Sequence, residues 1–289
     1  MDKEQTAVRA TYFSIIGNSG LALVKWLAGY FGNSYALIAD AIESTADIFS
    51  SVLVLFGIKY ANKPADKEHP YGHGRIEAIV TFAVVGFLVA SATVIFIESI
   101  SNIRTPHALP KPFTLFILGP IIIWKEVSYH IVMRRARSTN STSLKADAWH
   151  HRSDAITSVA AFIGISFALI MGDGYESADD WAALLASFVI LYNSYKILKP
   201  AWGEMMDKNM YDDMVDDICN FSKTVDGVLD TEKCFIRKTG MTYYVDLHII
   251  VDKNLTVKQG HDIAHQLKRE LIEEKPEIAD VLIHIEPSF

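Results

Sequence analysis

The stretch 78–97, AIVTFAVVGFLVASATVIFI, contains twenty residues and no charged side chain. A helix of about 20 apolar residues spans the roughly 30 Å hydrocarbon core of a bilayer. The run around this stretch covers 77–102, and five further long apolar runs fit approximately 8–30, 35–60, 113–133, 144–171 and 178–198. A large soluble helical protein is the alternative, but its core needs fewer runs of this length. The pattern therefore predicts an α-helical membrane protein with six transmembrane helices in a lipid bilayer.

The apolar runs end near residue 200, after which charged residues recur every few positions. We therefore predict a transmembrane domain over residues 1–206 and a second domain over residues 207–289. Within the second domain, the patterns fit a helix, two strands, a helix and a last strand, over 210–223, 230–238, 242–252, 256–274 and 280–287. This αββαβ order predicts a small α+β domain, with an open sheet and its helices on one face.

Bulk composition excludes several classes of protein. The formal net charge of −7 argues against nucleic acid as the main partner. The two cysteines, Cys219 and Cys234, form no CxxC pattern, and they predict neither a disulfide framework nor a thiolate metal site. The opening residues MDKEQTAVRATYF contain no small-residue cleavage pattern, so we expect no removable signal peptide.

Basic residues are concentrated in alternate connections between the predicted spans. They lie between spans two and three, between spans four and five, and after span six: Lys59, Lys63, Lys67, Arg75, Arg134, Arg135, Arg137, Lys145, Lys196 and Lys199. The first and fifth connections, GYFGNSY and GDGYESADD, have no basic residue. Because cytoplasmic loops carry the excess of Lys and Arg, we predict that both termini are cytoplasmic.

Two pairs of polar residues interrupt the predicted spans. Glu43 and Asp47 in span two are four residues apart, as are His150 and Asp154 in span five, so each pair shares one helix face. With a rise of 1.5 Å per residue, the two acids of span two lie roughly 12 and 18 Å from the outer side, and His150 and Asp154 lie roughly 9 and 15 Å from the inner side. The two pairs therefore overlap in depth near the middle of the membrane.

Such a group of carboxylates and an imidazole has two interpretations. Isolated charges inside a membrane cost several kcal/mol each, and a divalent cation would offset much of that cost. Four nitrogen and oxygen ligands suit a tetrahedral site, which Zn²⁺ prefers. A structural cluster of carboxylates that share protons is the alternative, but two pairs at matched depth favour a metal site. Spacing alone does not decide between His150 and the adjacent His151, since both could lie near Asp154.

Several motifs together resemble the cation diffusion facilitator family over nearly the whole chain. They are LIADAIESTAD (37–47), PADKEHPYGHGRIEAI (64–79), KADAWHHRSDAITS (145–158), DLHIIVD (246–252) and DVLIHIEP (280–287). The resemblance implies a homodimer with six membrane helices and a cytoplasmic ferredoxin-like metal-binding domain in each chain. It also implies efflux of a divalent metal, mostly zinc, in exchange for protons by alternating access.

The resemblance implies a transport site formed by Glu43, Asp47, His150 and Asp154, and it favours His150 over His151. The first of these positions commonly holds Asp or His in the family, so Glu43 is a departure that bears on metal selectivity. Because imidazole suits borderline metals, we predict Zn²⁺, or else Cd²⁺ or Fe²⁺, as the cargo. A Mn²⁺-selective exporter of the same family is the alternative, since an all-oxygen ligand set favours Mn²⁺.

Two further metal sites follow from the resemblance. One is formed by Asp66, His69 and His73 in the connection between spans two and three, where a solvated loop with incidental histidines is the alternative. The other lies in the second domain, near the dimer interface, and comprises Glu232, His248, His261, His284 and Glu286. Close relatives can have His at the position of Glu232 and Asp at that of Glu286.

A charge lock and a surface histidine complete the predicted residues. The resemblance implies that Arg75 pairs with Asp207 beside the junction of the two domains. We expect His265, four residues after His261 on the same predicted helix, to be a surface histidine.

Two other classes of function compete with metal/proton antiport. An intramembrane metalloenzyme needs an open metal position and a general base, for which four candidate protein ligands leave little room. A metal sensor would leave the intramembrane group unexplained. We therefore predict a secondary transporter and not an enzyme, in the plasma (inner) membrane of a bacterium. Zn²⁺ is expected as substrate and as a structural or regulatory ion, and no organic cofactor is expected.

Overall fold

The computed structural model describes residues 3–31, 35–104, 112–172 and 177–289. Over these ranges the first part of the chain forms six long helices. They are α1 (Lys3–Phe31), α2 (Tyr35–Ala61), α3 (Ile76–Arg104), α4 (Phe113–Thr139), α5 (Thr142–Met171) and α6 (Ala178–Met205). Each of the six predicted apolar runs corresponds to one helix, although α4 and α6 continue several residues beyond the predicted ends. The prediction of a helical membrane domain is confirmed.

Within the described residues, four of these helices are long and apolar enough to cross a membrane. These spans are Ile76–Ser101, Leu115–Thr139, Thr142–Met171 and Asp180–Met205. The distribution of side chains fits a lipid environment, because large apolar residues such as Phe116 and Ile170 face outward and polar ones such as Asp47 and Lys125 are buried.

Close helix packing brings the polar faces of α2, α4 and α5 together. The helix α1 packs along α2, α4 packs along α5, and α3 contacts both α2 and α5. Small residues allow this proximity: a Cβ atom on Gly57 of α2 would lie 2.8 Å from Val80 Cγ2 of α3. At the start of α5, the hydroxyls of Ser141 and Ser143 both donate to the buried carboxylate of Glu77 on α3. These contacts fix the position of α5 against α3.

The remainder of the chain forms a small α+β unit. Its elements are α7 (Asp212–Ser222), β1 (Asp230–Thr239), β2 (Thr242–Val251), α8 (Val257–Glu274) and β3 (Ile278–Pro287). The strand order is β1-β2-β3, with β1 and β2 antiparallel and β2 and β3 parallel. The hairpin between β1 and β2 turns at Gly240, whose φ of 64° suits glycine. The predicted αββαβ order is confirmed.

Burial alternates along β2 and shows which face of the sheet the helices cover. Residues Tyr243, Val245, Leu247, Ile249 and Val251 are buried. They belong to one core with Ile218 of α7 and with Leu267 and Leu271 of α8. Since successive side chains of a strand point to opposite faces, His248 lies on the face away from this core.

The chain divides into two compact units. One comprises Met1–Lys63 and Ile76–Ala201, and the other comprises Pro64–Arg75 and Trp202–Phe289. Compared with the predicted limits of 1–206 and 207–289, this division assigns the connection between α2 and α3, as well as the end of α6, to the second unit. Within that unit Tyr71 contacts Tyr244 of β2, with ring centroids 5.9 Å apart and a hydrogen bond from the Tyr244 hydroxyl to the Tyr71 carbonyl.

Candidate functional site

The helices of the first unit bring three predicted ligands into one buried group. His150 Nε2 of α5 lies 2.7 Å from Asp47 Oδ1 of α2 and 3.9 Å from Asp154 Oδ2. One ligand atom from each of the three lies within 4.8 Å of the others. Asp47 and His150 are buried, and the Asp154 side chain is 18% exposed. This arrangement offers one imidazole and two carboxylates to a cation.

The spacing of residues along α5 and the packing of α5 against α2 explain this convergence. His150 and Asp154 are one helical turn apart, so they face the same side of α5. Asp47 lies on α2, which contacts α5. The predicted fourth ligand, Glu43, belongs to α2 as well, but its side chain lies outside the described part of the structure.

A lysine that the sequence interpretation left out of the site lies within this group. Lys125 Nζ of α4 is 3.0 Å from Asp47 Oδ2 and 2.6 Å from Asp154 Oδ2. The Lys125 side chain is 2% exposed. The sequence does contain a signal for this contact, namely a basic residue inside a long apolar run. Such residues usually face the interior of the helix bundle and pair with an acid.

The two adjacent histidines of α5 contact different groups. His151 Nε2 lies 3.0 Å from Ser14 Oγ of α1, and that hydroxyl donates to Asp147 Oδ2 at 2.8 Å. Ser51 of α2 donates to the other oxygen of Asp147 at 3.1 Å. All four side chains are buried. Because neighbouring residues are rotated by about 100° around a helix, His150 faces the candidate metal group and His151 faces this separate hydrogen-bonded network.

The connection between α2 and α3 forms a second candidate metal group. His69 Nδ1 lies 3.2 Å from Asp66 Oδ1, and His73 Nε2 lies 3.4 Å from Asp66 Oδ2. The backbone N–H groups of His69 and Glu68 donate to Asp66, and these bonds lower the pKa of its carboxyl, the bond from His69 most. Ligand atoms of the three predicted residues lie within 4.8 Å of one another. A single ion could therefore contact all three side chains.

The predicted charge pair is present within the second unit. Arg75 Nη2 lies 2.9 Å from both carboxylate oxygens of Asp207. Both side chains are at least 41% exposed, so solvent screens their attraction. The pair joins the end of the connection between α2 and α3 to the segment that follows α6.

A third candidate group lies on the open face of the sheet. Glu286 Oε1 is 3.2 Å from His248 Nδ1 and 3.3 Å from His284 Nε2. His248 and His284 are directly paired between the parallel strands β2 and β3. The predicted ligand Glu232 lies at the edge of this group, with its Oε2 3.9 Å from His248 Nδ1. The strand register therefore brings three predicted ligands together and leaves a fourth nearby.

The structure does not bring His261 to this group within one chain. His261 is exposed on α8 and lies beside His265, with ring centroids 4.3 Å apart. The reason is the layer order: α8 packs on the core face of the sheet, whereas His248 lies on the opposite face. The sequence patterns predict each helix and strand by itself, and they do not show which face of the sheet α8 covers.

Both parts of the chain match known protein families. Residues 11–206 match the cation efflux transmembrane domain, and residues 210–288 match the cytoplasmic domain of cation efflux proteins. The chain therefore belongs to the cation efflux, or cation diffusion facilitator, family, as its motifs predicted. It is a multi-pass membrane protein that exports divalent metal cations, and it is a transporter rather than an enzyme.

Particular relatives match along most of the chain. The manganese efflux system protein MneP of Bacillus subtilis (strain 168) is 30% identical, over 100% of this chain and 98% of that protein. The cation-efflux pump FieF of Yersinia enterocolitica is 29% identical, over 93% of this chain and 88% of that protein. Among solved structures, the metal-bound C-terminal domain of the CzcD transporter from Thermotoga maritima is 31% identical, with a TM-score of 0.26, over 28% of this chain and 93% of that domain.

Proposed function

We propose that the protein exchanges a divalent cation for protons at a site formed by Asp47, His150 and Asp154, with Glu43 as the fourth ligand. The observation that supports this proposal is the convergence of the first three side chains inside the membrane domain, within 4.8 Å of one another. A carboxylic acid or an imidazolium must lose a proton before it can bind a metal, so metal binding releases protons. A site that opens alternately to each side and holds either metal or protons acts as an antiporter.

The ligand set favours Zn²⁺ as cargo, with Cd²⁺ and Fe²⁺ as related candidates. His150 supplies a nitrogen donor, which suits these metals better than it suits Mn²⁺. Mn²⁺ is the second candidate, because a relative that matches along the full chain is a manganese efflux protein. The imidazole of His150 thus favours Zn²⁺, whereas the similarity of the whole chain to a manganese efflux protein favours Mn²⁺.

The proposal includes a homodimer in the plasma membrane of a bacterium, with both termini in the cytoplasm. Basic residues support this orientation, since Arg134, Arg135 and Arg137 are exposed near the end of α4 that the charge pattern assigns to the cytoplasm. The groups around Asp66 and Glu286 would then bind cytoplasmic metal, as structural or regulatory ions. The match to the cytoplasmic domain of cation efflux proteins supports this assignment.

Metal flux into proteoliposomes with an imposed pH gradient tests the function. We expect the wild-type protein to carry Zn²⁺ into the lumen and to alkalise the lumen in step with the metal, because protons leave in exchange, with Cd²⁺, Fe²⁺ and Mn²⁺ as competitors. We expect His150→Ala to abolish transport or its dependence on pH, because it removes the nitrogen ligand. Proton-coupled flux that is the same in His150→Ala and the wild type would exclude the proposed site. Stronger competition by Mn²⁺ than by Cd²⁺ would favour the manganese alternative.

A further inference from the structure

The ammonium of Lys125 contacts the same carboxylates that are proposed to bind the cargo. It lies 3.0 Å from Asp47 Oδ2 and 2.6 Å from Asp154 Oδ2. His150 occupies the other oxygen of Asp47, at 2.7 Å. A divalent ion that used these carboxylate oxygens would therefore meet a positive charge at the contact distance of a hydrogen bond.

Charge balance explains why a cation is present there. Asp47 and Asp154 are two carboxylates in a largely buried group, and like charges at short range repel each other strongly where water is excluded. The Lys125 side chain reaches both of them and is itself buried. Its ammonium thus offsets the repulsion between the two carboxylates, as a bound metal would.

The packing of α4 directs Lys125 toward α2 and α5. The preceding residue, Trp124, stacks on Phe13 of α1 with ring centroids 5.7 Å apart. A Cβ atom on Gly17, one turn further along α1, would lie 2.8 Å from Trp124 Cζ2, so the indole fills the space beside this glycine. With Trp124 fixed against α1, the next side chain is turned toward the carboxylates.

We propose that Lys125 is a tethered counter-cation of the transport site, which a divalent metal must displace in order to bind. This inference rests on the proposed function, because it takes Asp47 and Asp154 to be ligands of the cargo. Exchange of one ammonium for a divalent ion adds a positive charge near two carboxylates, whereas exchange for Na⁺ or K⁺ adds none. Lys125 therefore acts as a specificity-determining residue that disfavours monovalent cations and assists release of the metal.

Equilibrium binding to the full-length protein tests this role. Metal-free protein in detergent is titrated with Zn²⁺, with Mn²⁺ in a parallel series, and binding to the transport site is defined as the part that Asp154→Asn removes. We expect Lys125→Met to bind Zn²⁺ at this site about tenfold or more tightly, since it removes the competing charge. Lys59→Met is the matched control, because Lys59 contacts the Tyr12 hydroxyl at 3.3 Å and lies outside the group. Its affinity should equal that of the wild type.

A thermal measurement separates this role from a purely structural one. Without metal, Lys125→Met should unfold at a lower temperature than the wild type, because two carboxylates lose their counter-charge. Zn²⁺ should restore or exceed the wild-type unfolding temperature, since it replaces that charge. A variant that Zn²⁺ does not rescue, or that binds Zn²⁺ with unchanged or lower affinity, would overturn the inference.

The Asp154→Asn variant distinguishes the two levels of the proposal. If it loses Zn²⁺ binding while Lys125→Met shows unchanged affinity, the proposed function stands and the role of Lys125 is wrong. If it binds as much Zn²⁺ as the wild type, the proposed transport site is wrong, and the inference about Lys125 is overturned with it.

Discussion

At the scale of single residues, His150 and His151 show how adjacent imidazoles can have separate roles. His150 contacts Asp47, and His151 contacts Ser14 in a network that includes Asp147. The second network contains no residue of the candidate metal group. Substitutions at the two positions should therefore affect different properties of the protein.

We predict that His151→Ala lowers stability but retains metal binding. The substitution leaves a cavity and removes a partner of the buried Ser14 hydroxyl, which together cost about 2–4 kcal/mol. Zn²⁺ binding per folded molecule should stay close to that of the wild type, whereas His150→Ala should lose binding to the transport site. Thermal unfolding and Zn²⁺ titration of the same preparations measure both effects. A loss of Zn²⁺ binding in folded His151→Ala protein would show that the two groups are coupled.

The thiol of Cys234 provides a prediction about pH. Burial, together with a smaller contribution from the nearby Cys219, raises its pKa from 9.0 to about 12. Because the folded thiol keeps its proton at pH values where the unfolded thiol has lost it, the contribution of Cys234 to stability decreases as pH rises above 9.0. Alkylation requires the thiolate, so it should be slow in the folded protein and should increase steadily toward pH 11.

Iodoacetamide labelling, resolved by peptide mass spectrometry, measures this behaviour at Cys234. The same chain unfolded in denaturant is the control, and its labelling rate should level off above about pH 9, where an ordinary thiol is ionised. A folded protein whose Cys234 rate also levels off near pH 9 would contradict the raised pKa.

At the scale of secondary-structure elements, the connection between α2 and α3 depends on a close approach to the β1–β2 hairpin. A Cβ atom on Gly74 would lie 2.6 Å from the Thr239 carbonyl carbon and 2.7 Å from its oxygen. Because the neighbouring atoms belong to backbone, they cannot move aside as a flexible side chain does. The adjacent His73 belongs to the candidate metal group around Asp66.

We predict that Gly74→Ala destabilises the second unit by about 1–3 kcal/mol. It should also weaken metal binding to Asp66, His69 and His73, since the loop must shift. Gly86→Ala on α3 is the matched control, because no atom lies within 4 Å of the added methyl group. Its stability should be unchanged or raised. Thermal unfolding and limited proteolysis of the connection measure the effect, and equal behaviour of the two variants would contradict the close approach.

Most elements, and part of the candidate site, could be predicted from local patterns. The apolar runs predicted six helices, and the patterns of the second domain predicted its two helices and three strands. The spacing of His150 and Asp154, together with helix rise, indicated that they would meet Asp47. The contacts of Lys125 with both carboxylates could not be predicted, because they depend on the rotation of α4 against its neighbours. The position of His261 could not either, since it depends on which face of the sheet α8 covers.

At the scale of the whole molecule, each of the two units contains its own candidate metal groups. Asp47, His150 and Asp154 lie in the first unit, and the groups around Asp66 and Glu286 lie in the second. Loss of a group in one unit should therefore leave the metal content of the other largely intact.

We predict that Glu286→Gln reduces the metal bound per chain while transport persists. The carboxylate oxygen lies between His248 and His284, so its neutral amide removes the charge shared by both imidazoles. His265→Gln is the control, because this histidine is exposed on α8 outside the group. Elemental analysis and Zn²⁺ flux in proteoliposomes measure the two properties. Complete loss of flux in Glu286→Gln would show that the second unit is required for transport itself.

The division of the chain determines how its two units are connected. The backbone passes from one unit to the other at Lys63–Pro64, returns at Arg75–Ile76, and passes again at Ala201–Trp202. Three covalent links, rather than one, therefore join the units. The helix that carries Asp47 ends at Ala61, two residues before the first link. A metal ion bound by Asp66, His69 and His73, as proposed above, would be held by the segment between the first two links.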